Sequence, residues 1–481
     1  MKVLIAASEV APIIKLGGLG DVIGSLPKAL EELGVDADVI VPFYPVAKTA
    51  DLKIYKSQEI DVPFNNATHV VEVHKTKLPG STVDVFLLKN IMFKAGGQSA
   101  FAGDISETEM FAFFNRAIVE FIKAGFNTYD LVHCNDWHTG MVTHLLADEI
   151  DLSRPATLLT VHNLSYQGWG DTALVEELGI IPGDHPLIDW DISDGDINFL
   201  LQGITSSDFI STVSQSYAKE VLYKDIGGDL SEILYDRQGR LMGILNGIDY
   251  SAFPRDFDNS NWKSKKLTLK KKLLEKMKLE NDIKKPVFSF VSRLDPNQKG
   301  LDILLDVIPH IVKEGGQFIL LGTGDPIWED KFKKLTEDKD LKDNISINIE
   351  FDVDIALSMY AGSDFKLIPS RFEPCGLTQM ISMWYGTLPI AHATGGLRDS
   401  IKTDENGFLF NVYDTKDFKK AIDKAFKIFG TDKYDSMVGN ALKEDFSWAK
   451  SAKKYMELYE KVIQIRNHHM EISEVEGEDG K

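Results

Sequence analysis

Short apolar runs alternate with helical patterns along most of this chain, and this alternation limits its fold more than any other feature. Each apolar run has the length of a buried strand, and the segment after it has the periodicity of a helix. Such alternation predicts α/β architecture, with parallel sheets covered by helices on both faces and joined by right-handed crossovers. The predicted strands include residues 3–7, 38–42, 69–73, 83–88, 157–161, 208–213, 242–245, 287–292, 317–321, 346–351, 365–369 and 388–391.

The length of the chain and one turn predict two domains. A chain of 481 residues exceeds one ordinary domain. Asn246-Gly247 is a strong turn signal after the last run of the first half, so we predict an N-terminal domain over residues 1–248 and a C-terminal domain over 249–445. The lysine-rich segment 262–285 is interpreted as a solvated helix face. The acidic end, residues 466–481, is predicted to be disordered.

Composition excludes several classes of function. The formal net charge of -20 argues against a general nucleic-acid binder, which needs a basic field, but it leaves an anionic small substrate possible. The two cysteines, Cys134 and Cys375, fit a reducing compartment and no disulfide framework. The chain starts directly with a strand, and no apolar run has membrane-spanning length, so we expect a cytoplasmic protein without a membrane partner.

A carboxylate lies at a turn between a strand and a helix in the second half. Residues 370–378 follow a predicted strand and precede the helical pattern 379–385, which places Glu373 in the turn. Unpaired N–H groups at a helix start attract anions, and Gly376 allows a ligand to approach the backbone. Glu373 could also simply cap the helix. The next strand, however, ends in a second glycine turn, 393–397, and successive strand ends of a parallel sheet converge on one site.

A glycine-rich loop follows the first strand. Lys15 comes just before Gly17-Gly18-Leu19-Gly20-Asp21 and a helical pattern. A dinucleotide fold is the obvious rival, but Ile23 replaces the third glycine of that fingerprint, and the second strand runs into Phe43 without a carboxylate for a ribose hydroxyl. The loop therefore suggests a lysine that binds a diphosphate, with a solvated surface lysine as the alternative.

Polar residues follow two more strands of the first half. His133, Cys134, Asp136 and His138 have the composition of a zinc site, but successive strand side chains point to opposite faces and cannot all converge. An exposed Asp-Trp-His at residues 136–138 suits a sugar, because it combines an aromatic face for stacking with polar groups for hydroxyls. His162 arrives at the same edge after the next strand, where a lone histidine can also be structural.

Segments in chain order resemble bacterial-type glycogen synthase and plant starch synthase, from near residue 1 to about residue 460. The lysine-glycine-glycine-leucine loop combined with the glutamate-proline-cysteine-glycine-leucine turn is a highly specific pair. The matching segments are residues 15–21, 135–138, 162–163 with 166–168, 246–249, 292–294 with 298–300, 360–364, 370–379 and 394–397.

The resemblance implies a fold and a reaction. It implies two Rossmann-like, doubly wound domains facing a central cleft, as in GT-B glycosyltransferases, with a last helix over residues 446–465 that crosses back to the N-terminal domain. It also implies transfer of glucose from ADP-glucose to the terminal 4-hydroxyl of an α-1,4-glucan, with retention at the anomeric carbon and without a cofactor. ADP-glucose and the glucan are then the expected partners.

The resemblance also assigns roles to individual residues. Lys15, Arg293 and Lys299 match cations around the donor diphosphate, Glu373 matches the essential carboxylate, and His162 matches a donor-sugar contact. Tyr360 matches the residue that stacks on adenine, although it could also belong to the core. Further positions that match the donor site are Gly17, Gly18, Asp21, Asp136, Asn246, Cys375, Gly376, Leu377 and Thr378.

Asp352 and Asp354 have the form in which many glycosyltransferases hold a metal. Here they precede a helical pattern, where aspartates cap the helix and complement its dipole, so we predict no metal.

Two alternatives and three departures stay open. The chain could be a related transferase that uses UDP-glucose or makes a disaccharide, or a glucan-binding protein without catalysis. Leu201 stands where the family usually has lysine, His392 stands where arginine is common, and residues 250–285 are shorter and richer in lysine than the family leads us to expect.

Overall fold

The computed structural model describes residues 1–93, 107–150 and 154–479, which pack into two compact units. The first unit comprises Met1–Val213, Ala218–Gly247 and the chain from Trp448 onward, and the second comprises Ser214–Tyr217 and Ile248–Ser447. The predicted boundaries assign Ser214–Tyr217 to the N-terminal domain, whereas these residues pack with the second unit. Hydrogen bonds explain this difference, because Ser214 donates to the Pro374 carbonyl oxygen at 2.5 Å.

Strands and helices alternate in both units. The strands are β1 (Lys2–Ala6), β2 (Asp36–Pro42), β3 (Tyr55–Phe64), β4 (Ala67–Lys77), β5 (Asp84–Lys89), β6 (Leu131–Asn135), β7 (Ala156–Val161), β8 (Trp169–Asp171), β9 (Asp196–Asn198), β10 (Phe209–Thr212), β11 (Leu241–Gly243), β12 (Val287–Val291), β13 (Gln317–Leu321), β14 (Ile345–Asn348), β15 (Phe365–Ile368), β16 (Leu388–His392) and β17 (Phe408–Phe410). The helices are α1 (Gly18–Glu32), α2 (Glu107–Lys123), α3 (Gly140–Glu149), α4 (Ala173–Glu177), α5 (Pro186–Asp191), α6 (Phe199–Ser206), α7 (Gln215–Glu220), α8 (Lys224–Gly227), α9 (Ser231–Asp236), α10 (Trp262–Lys276), α11 (Leu301–Lys313), α12 (Pro326–Leu335), α13 (Val353–Gly362), α14 (Thr378–Trp384), α15 (Gly395–Ser400), α16 (Thr415–Ile428), α17 (Asp432–Ala441) and α18 (Trp448–Asp479). None of the helices in these described ranges combines the length and apolar character needed to cross a membrane.

The first unit is built on a nine-stranded sheet in the order β11-β10-β7-β6-β1-β2-β5-β4-β3. β4 pairs antiparallel with β3 and β5, and the other neighbours are parallel. β6 and β7 are buried along their whole length, and polar side chains within them, such as His133 and Asn135, are hydrogen-bonded. Because β1, β6 and β7 are parallel neighbours, the residues that follow them share one edge of the sheet.

The second unit is built on a six-stranded sheet in the order β14-β13-β12-β15-β16-β17, and all its pairings are parallel. β12, β15 and β16 are therefore adjacent, and the loops after them meet at one edge. This confirms the expectation that the ends of β15 and β16 converge. Ile368, the last residue of β15, pairs with Ala391, the residue before the last of β16.

The last helix, α18, belongs to the first unit. Its buried face includes Tyr455, Tyr459 and Val462. The Tyr459 hydroxyl lies 2.8 Å from His133 Nδ1, and His133 Nε2 lies 2.6 Å from the Thr160 hydroxyl, so a buried polar network ties the helix to β6 and β7. The prediction of a disordered end from residue 466 is wrong up to Asp479, where the helix ends. Extending an existing helix costs little, and the glutamate-rich end contains good helix formers.

Candidate active site

The turn after β15 holds Glu373 in an ion pair. Lys299 Nζ lies 2.8 Å from Glu373 Oε2, and the Ser370 hydroxyl donates to the same oxygen at 2.9 Å. The lysine and glutamate side chains are only 15% and 12% exposed, so water screens their attraction weakly. The structure thus brings together two predicted catalytic residues and adds Ser370, which the sequence analysis did not single out.

Close backbone packing brings Lys299 to this turn. The residue after it, Gly300, adopts φ +66, and a Cβ there would lie 1.9 Å from the Pro369 carbonyl oxygen. The Arg371 N–H donates to the Gln298 carbonyl oxygen at 2.8 Å. Any larger residue at position 300 would push the two loops apart, so glycine is required for the ion pair to form as observed.

The glycine turn after β16 packs against the same loop. The Gly396 N–H donates to the Glu373 carbonyl oxygen at 3.0 Å, and a Cβ on Gly395 would lie 2.0 Å from that oxygen. His392 Nδ1 lies 2.8 Å from the Ser370 carbonyl oxygen. Glu373 is therefore supported by β12, β15 and β16 together.

The structure gives Glu373 no capping hydrogen bond to the helix that follows it. Helix α14 begins at Thr378 with Leu377 as its N-cap, and no side chain caps it. Cys375 and Gly376 lie in the turn before the helix, where their carbonyl oxygens accept hydrogen bonds from Gln379 Nε2 at 3.1 Å and 2.8 Å. The turn is thus closed by Gln379, while the Glu373 carboxylate points to Lys299.

Arg293 and Tyr360 lie in contrasting environments. Arg293 is exposed after β12, and within the described part of the chain no carboxylate pairs with it. Tyr360, on α13, is 7% exposed, and Lys366 Nζ lies 5.3 Å from its ring centroid. Burial raises the pKa of Tyr360, so its phenol is neutral at pH 7. The exposed side chain of Arg293 can reach an anion, whereas only a small part of the Tyr360 ring is accessible to a ligand.

The first unit presents Lys15 on the glycine loop after β1. Lys15 Nζ lies 2.7 Å from Asp21 Oδ1 in an exposed pair. Helix α1 begins at Gly18 with Gly17 as its N-cap, so Asp21 lies in the first turn. Exposed pairs contribute little to stability, and Lys15 can exchange Asp21 for another anion at small cost.

A buried carboxylate supports this loop from beneath. Glu9 is 5% exposed and accepts the backbone N–H groups of Leu16 and Gly17, the latter at 2.9 Å. A Cβ on Gly20 would lie 3.0 Å from Glu9 Oε2, so the loop also needs a small residue there. Sequence reasoning missed Glu9, although a lone carboxylate directly after a buried strand was a usable signal.

Asp136 and His162 meet at the ends of β6 and β7. Asp136 has φ 55, a conformation that non-glycine residues rarely adopt, and its Oδ1 accepts the His162 N–H at 2.7 Å. Burial raises the pKa of Asp136 to about 7, with a smaller contribution from the negative charge of Glu9 and against the backbone hydrogen bonds that lower it. Burial lowers the pKa of His162 to about 3, so its ring is neutral at pH 7. Its Nε2 lies 2.9 Å from Asn135 Oδ1.

The expectation of an exposed aromatic face at Trp137 is wrong. Trp137 is 5% exposed, and its ring stacks on His138 with centroids 4.2 Å apart. A Cβ on Gly168 would lie 2.2 Å from the Trp137 ring, which shows how tightly this loop covers it. Burying a large aromatic surface is favourable, and the indole serves as core beneath Asp136 and His138.

The remaining predicted residues have separate surroundings. Asn246 is 6% exposed, and its Oδ1 finds no hydrogen-bond donor among the described residues. Asp352 Oδ1 accepts the Ile355 N–H at 2.7 Å, which confirms its interpretation as a helix cap. Across residues 1–93, 107–150 and 154–479, no three His, Cys, Asp or Glu residues are arranged to hold a metal ion.

Comparisons with known families match both halves of the chain. The model described as starch synthase catalytic domain matches residues 2–236, and the model described as glycosyl transferases group 1 matches residues 272–444.

Individual relatives extend over nearly the whole chain. Glycogen synthase of Thermosipho africanus is 38% identical over 490 residues, covering 97% of this chain and 100% of that protein. Glycogen synthase of Thermosipho melanesiensis is 37% identical over 486 residues, with the same shares covered. Among solved structures, the catalytic domain of starch synthase IV from Arabidopsis thaliana, bound to ADP and acarbose, has a TM-score of 0.86 and 30% identity and covers 96% of this chain and 99% of that one.

Proposed function

The chain belongs to the starch synthase and glycogen synthase family and is a glucan-elongating glucosyltransferase with a GT-B-like fold, and we propose that its donor is ADP-glucose. We further propose that it transfers glucose to the terminal 4-hydroxyl of an α-1,4-glucan with retention at the anomeric carbon. The Lys299–Glu373 ion pair at 2.8 Å is the observation that supports this site most directly. The starch synthase IV structure contains ADP, the nucleotide that ADP-glucose would release.

The proposed chemistry needs positive charge around a leaving diphosphate. Breaking the bond between the anomeric carbon and the phosphate oxygen leaves its electron pair on the diphosphate and makes the sugar ring oxocarbenium-like. We assign Lys299, Arg293 and Lys15 to the diphosphate, since fixed charges that meet developing charge can each contribute about 3 kcal/mol. Lys15 and Arg293 have exposed side chains that can move to an anion.

Glu373 has a different proposed task. Its carboxylate holds Lys299 and Ser370, so it orients the lysine that meets the diphosphate and places negative charge near the positive sugar. Retaining hydrolases use two facing carboxylates, and the second unit offers one at this turn. We therefore favour displacement on the front face, assisted by the leaving phosphate, with the diphosphate oxygen accepting the proton of the 4-hydroxyl.

The first unit has groups suited to sugar hydroxyls. The neutral His162 ring and the partly protonated Asp136 carboxyl can each donate and accept hydrogen bonds, and the unpaired Asn246 Oδ1 can accept one. We assign His162, Asp136 and Asn246 to the donor sugar and its surroundings. The buried Tyr360 is assigned to the adenine only through the exposed part of its ring.

Two of the three departures from the family, Leu201 and His392, differ in their distance from this chemistry. Leu201 is 4% exposed within α6 and packs in the core. His392 contacts the Ser370 carbonyl oxygen beside Glu373. His392 is therefore better placed than Leu201 to affect the choice of donor. The alternative to test is that the chain uses UDP-glucose.

The experiment compares two donors with the purified protein. ADP-glucose and UDP-glucose are supplied separately, each with and without glycogen primer, and the products are resolved by length. Faster glucan elongation with ADP-glucose supports the proposal. Preference for UDP-glucose, a disaccharide product, or no transfer with either donor would contradict it.

A further inference from the structure

The carboxylate of Glu9 accepts hydrogen bonds from backbone N–H groups of the glycine loop. Glu9 Oε2 accepts the N–H groups of both Leu16 and Gly17, which immediately follow Lys15. Its side chain is almost completely excluded from water, at 5% exposure. A charge buried this deeply is costly unless it is hydrogen-bonded, so the contact strongly restrains the loop backbone.

Backbone hydrogen bonds also hold the segment between Glu9 and Lys15. Val10 and Ile14 exchange two backbone hydrogen bonds, at 3.0 Å and 2.9 Å. The Ala11 N–H donates to the Gly20 carbonyl oxygen at 2.9 Å, which ties the segment to the first turn of α1. Glu9 is thus the side-chain anchor of a loop whose backbone is already held at its base.

Glu9 also acts on Asp136 through its charge. Its negative charge adds to burial in raising the pKa of Asp136, which reaches about 7. The backbone N–H groups of His162 and Asn163 lower that pKa, and the rings facing the site supply no opposing positive charge at pH 7. His162 and His138 both have pKa values lowered to about 3 by burial. The charge of Glu9 also adds to burial in raising the pKa of Tyr44 well above its usual value.

We propose that Glu9 is a positioning residue for glucosyl transfer: its buried carboxylate accepts the Leu16 and Gly17 N–H groups and so fixes the glycine loop that carries Lys15. The inference rests on the proposed assignment of Lys15 and Asp136 to the site, and it adds a residue that this assignment lacks. Because Glu9 is buried, it acts on substrate only through the loop and Asp136.

Two substitutions separate the two effects. Glu9→Gln keeps an oxygen that can accept both N–H groups but removes the charge, and Glu9→Ala removes both. In Glu9→Gln the ionisation of Asp136 in the pH profile of kcat/KM should move to lower pH, because a negative charge that raises its pKa has been lost. In Glu9→Ala the KM for the donor should in addition rise roughly tenfold, since the loop loses its anchor.

Matched controls exclude a purely structural effect. Glu32→Gln changes an exposed glutamate on α1 and should leave the profile unchanged. Asp136→Asn should remove the ionisation in both the wild-type and the Glu9→Gln background. Thermal unfolding of each variant reports whether it is folded, and Glu9→Asp replaces Glu9→Ala if the alanine variant does not fold.

Two results would overturn the inference. One is a Glu9→Ala variant that stays folded but has the wild-type KM for the donor. The other is a Glu9→Gln variant whose KM for the donor rises as much as that of Glu9→Ala, although glutamine keeps the acceptor oxygen. Either result, obtained with a wild-type protein that elongates glucan from ADP-glucose, would leave the proposed function standing. Absence of transfer by the wild type would instead contradict the function.

Discussion

At the scale of single residues, the Lys299–Glu373 pair affects both the stability of the fold and the proposed catalysis. Removing one partner of a buried pair leaves the other charge unpaired, which typically destabilises by about 3–5 kcal/mol, whereas removing both partners can be nearly neutral. Activity follows a different rule, because the proposed leaving diphosphate needs the lysine whatever the stability of the fold.

The first prediction separates these two properties. Glu373→Ala and Lys299→Ala should each lower turnover by roughly a hundredfold or more. The double variant Lys299→Met with Glu373→Gln should recover most of the lost thermal stability but none of the turnover. Steady-state kinetics and thermal unfolding measured on the same preparations test this, and near-normal turnover in either single variant would remove the assigned roles.

Residue-scale prediction from sequence had a clear limit. Glu373 could be named because a carboxylate falls in a turn between a strand and a helix, and Lys299 because its segment resembles that of a known family. Glu9 and Ser370 could not be ranked in the same way, since their importance lies in the atoms they contact. Trp137 was misjudged for the same reason, because only the packed loop around Gly168 shows that its ring is buried.

At the scale of elements, the site depends on loops that touch backbone to backbone. Gly300 and Pro369 bring the loops after β12 and β15 together, and the glycines after β16 complete the contact. These contacts lie at strand ends rather than within strands, so they position the loops without changing the sheet.

The second prediction concerns Gly300→Ala. The substitution combines a strained φ of +66 with a Cβ only 1.9 Å from the Pro369 carbonyl oxygen, so it should displace the Lys299 loop and lower activity at least tenfold. Gly315→Ala is the matched control, because its φ is +89 but a Cβ there meets nothing within 4 Å. The control should cost about 1 kcal/mol and leave kcat unchanged. Equal losses of activity in the two variants would contradict the packing argument.

The third prediction concerns the docking of α18. Tyr459→Phe keeps the ring but removes the hydroxyl that pairs with buried His133 Nδ1, so it should destabilise by about 1–3 kcal/mol. Burial lowers the pKa of His133 to about 3, so the unpaired ring stays neutral at pH 7. Chemical denaturation of the full chain measures the loss, and no change in stability would show that the network adds nothing.

At the scale of the whole molecule, the chain is strongly acidic, whereas the groups that we propose for the donor diphosphate are cations. The net charge is -20, yet Lys15, Arg293 and Lys299 are the groups assigned to the substrate. A diphosphate can therefore be bound where cations are concentrated, while the remaining surface repels polyanions.

The fourth prediction follows from this assignment. If three side-chain cations balance the diphosphate, a chelator should leave the rate of transfer unchanged within experimental error. The measurement compares rates before and after EDTA treatment and after added magnesium. Inhibition that magnesium reverses would make Asp352 and Asp354 metal ligands, despite the capping contact of Asp352.

The sequence by itself determined the parallel sheets, the order of strands and helices and the family, because hydrophobic period and glycine position are local properties of the chain. Only the tertiary structure decided which polar residues share a site. It placed Ser214–Tyr217 in the second unit and extended α18 to Asp479. It also set Glu9 beneath the glycine loop, with its charge acting on Asp136. These features depend on contacts between residues that are far apart in sequence, so no single segment determines them.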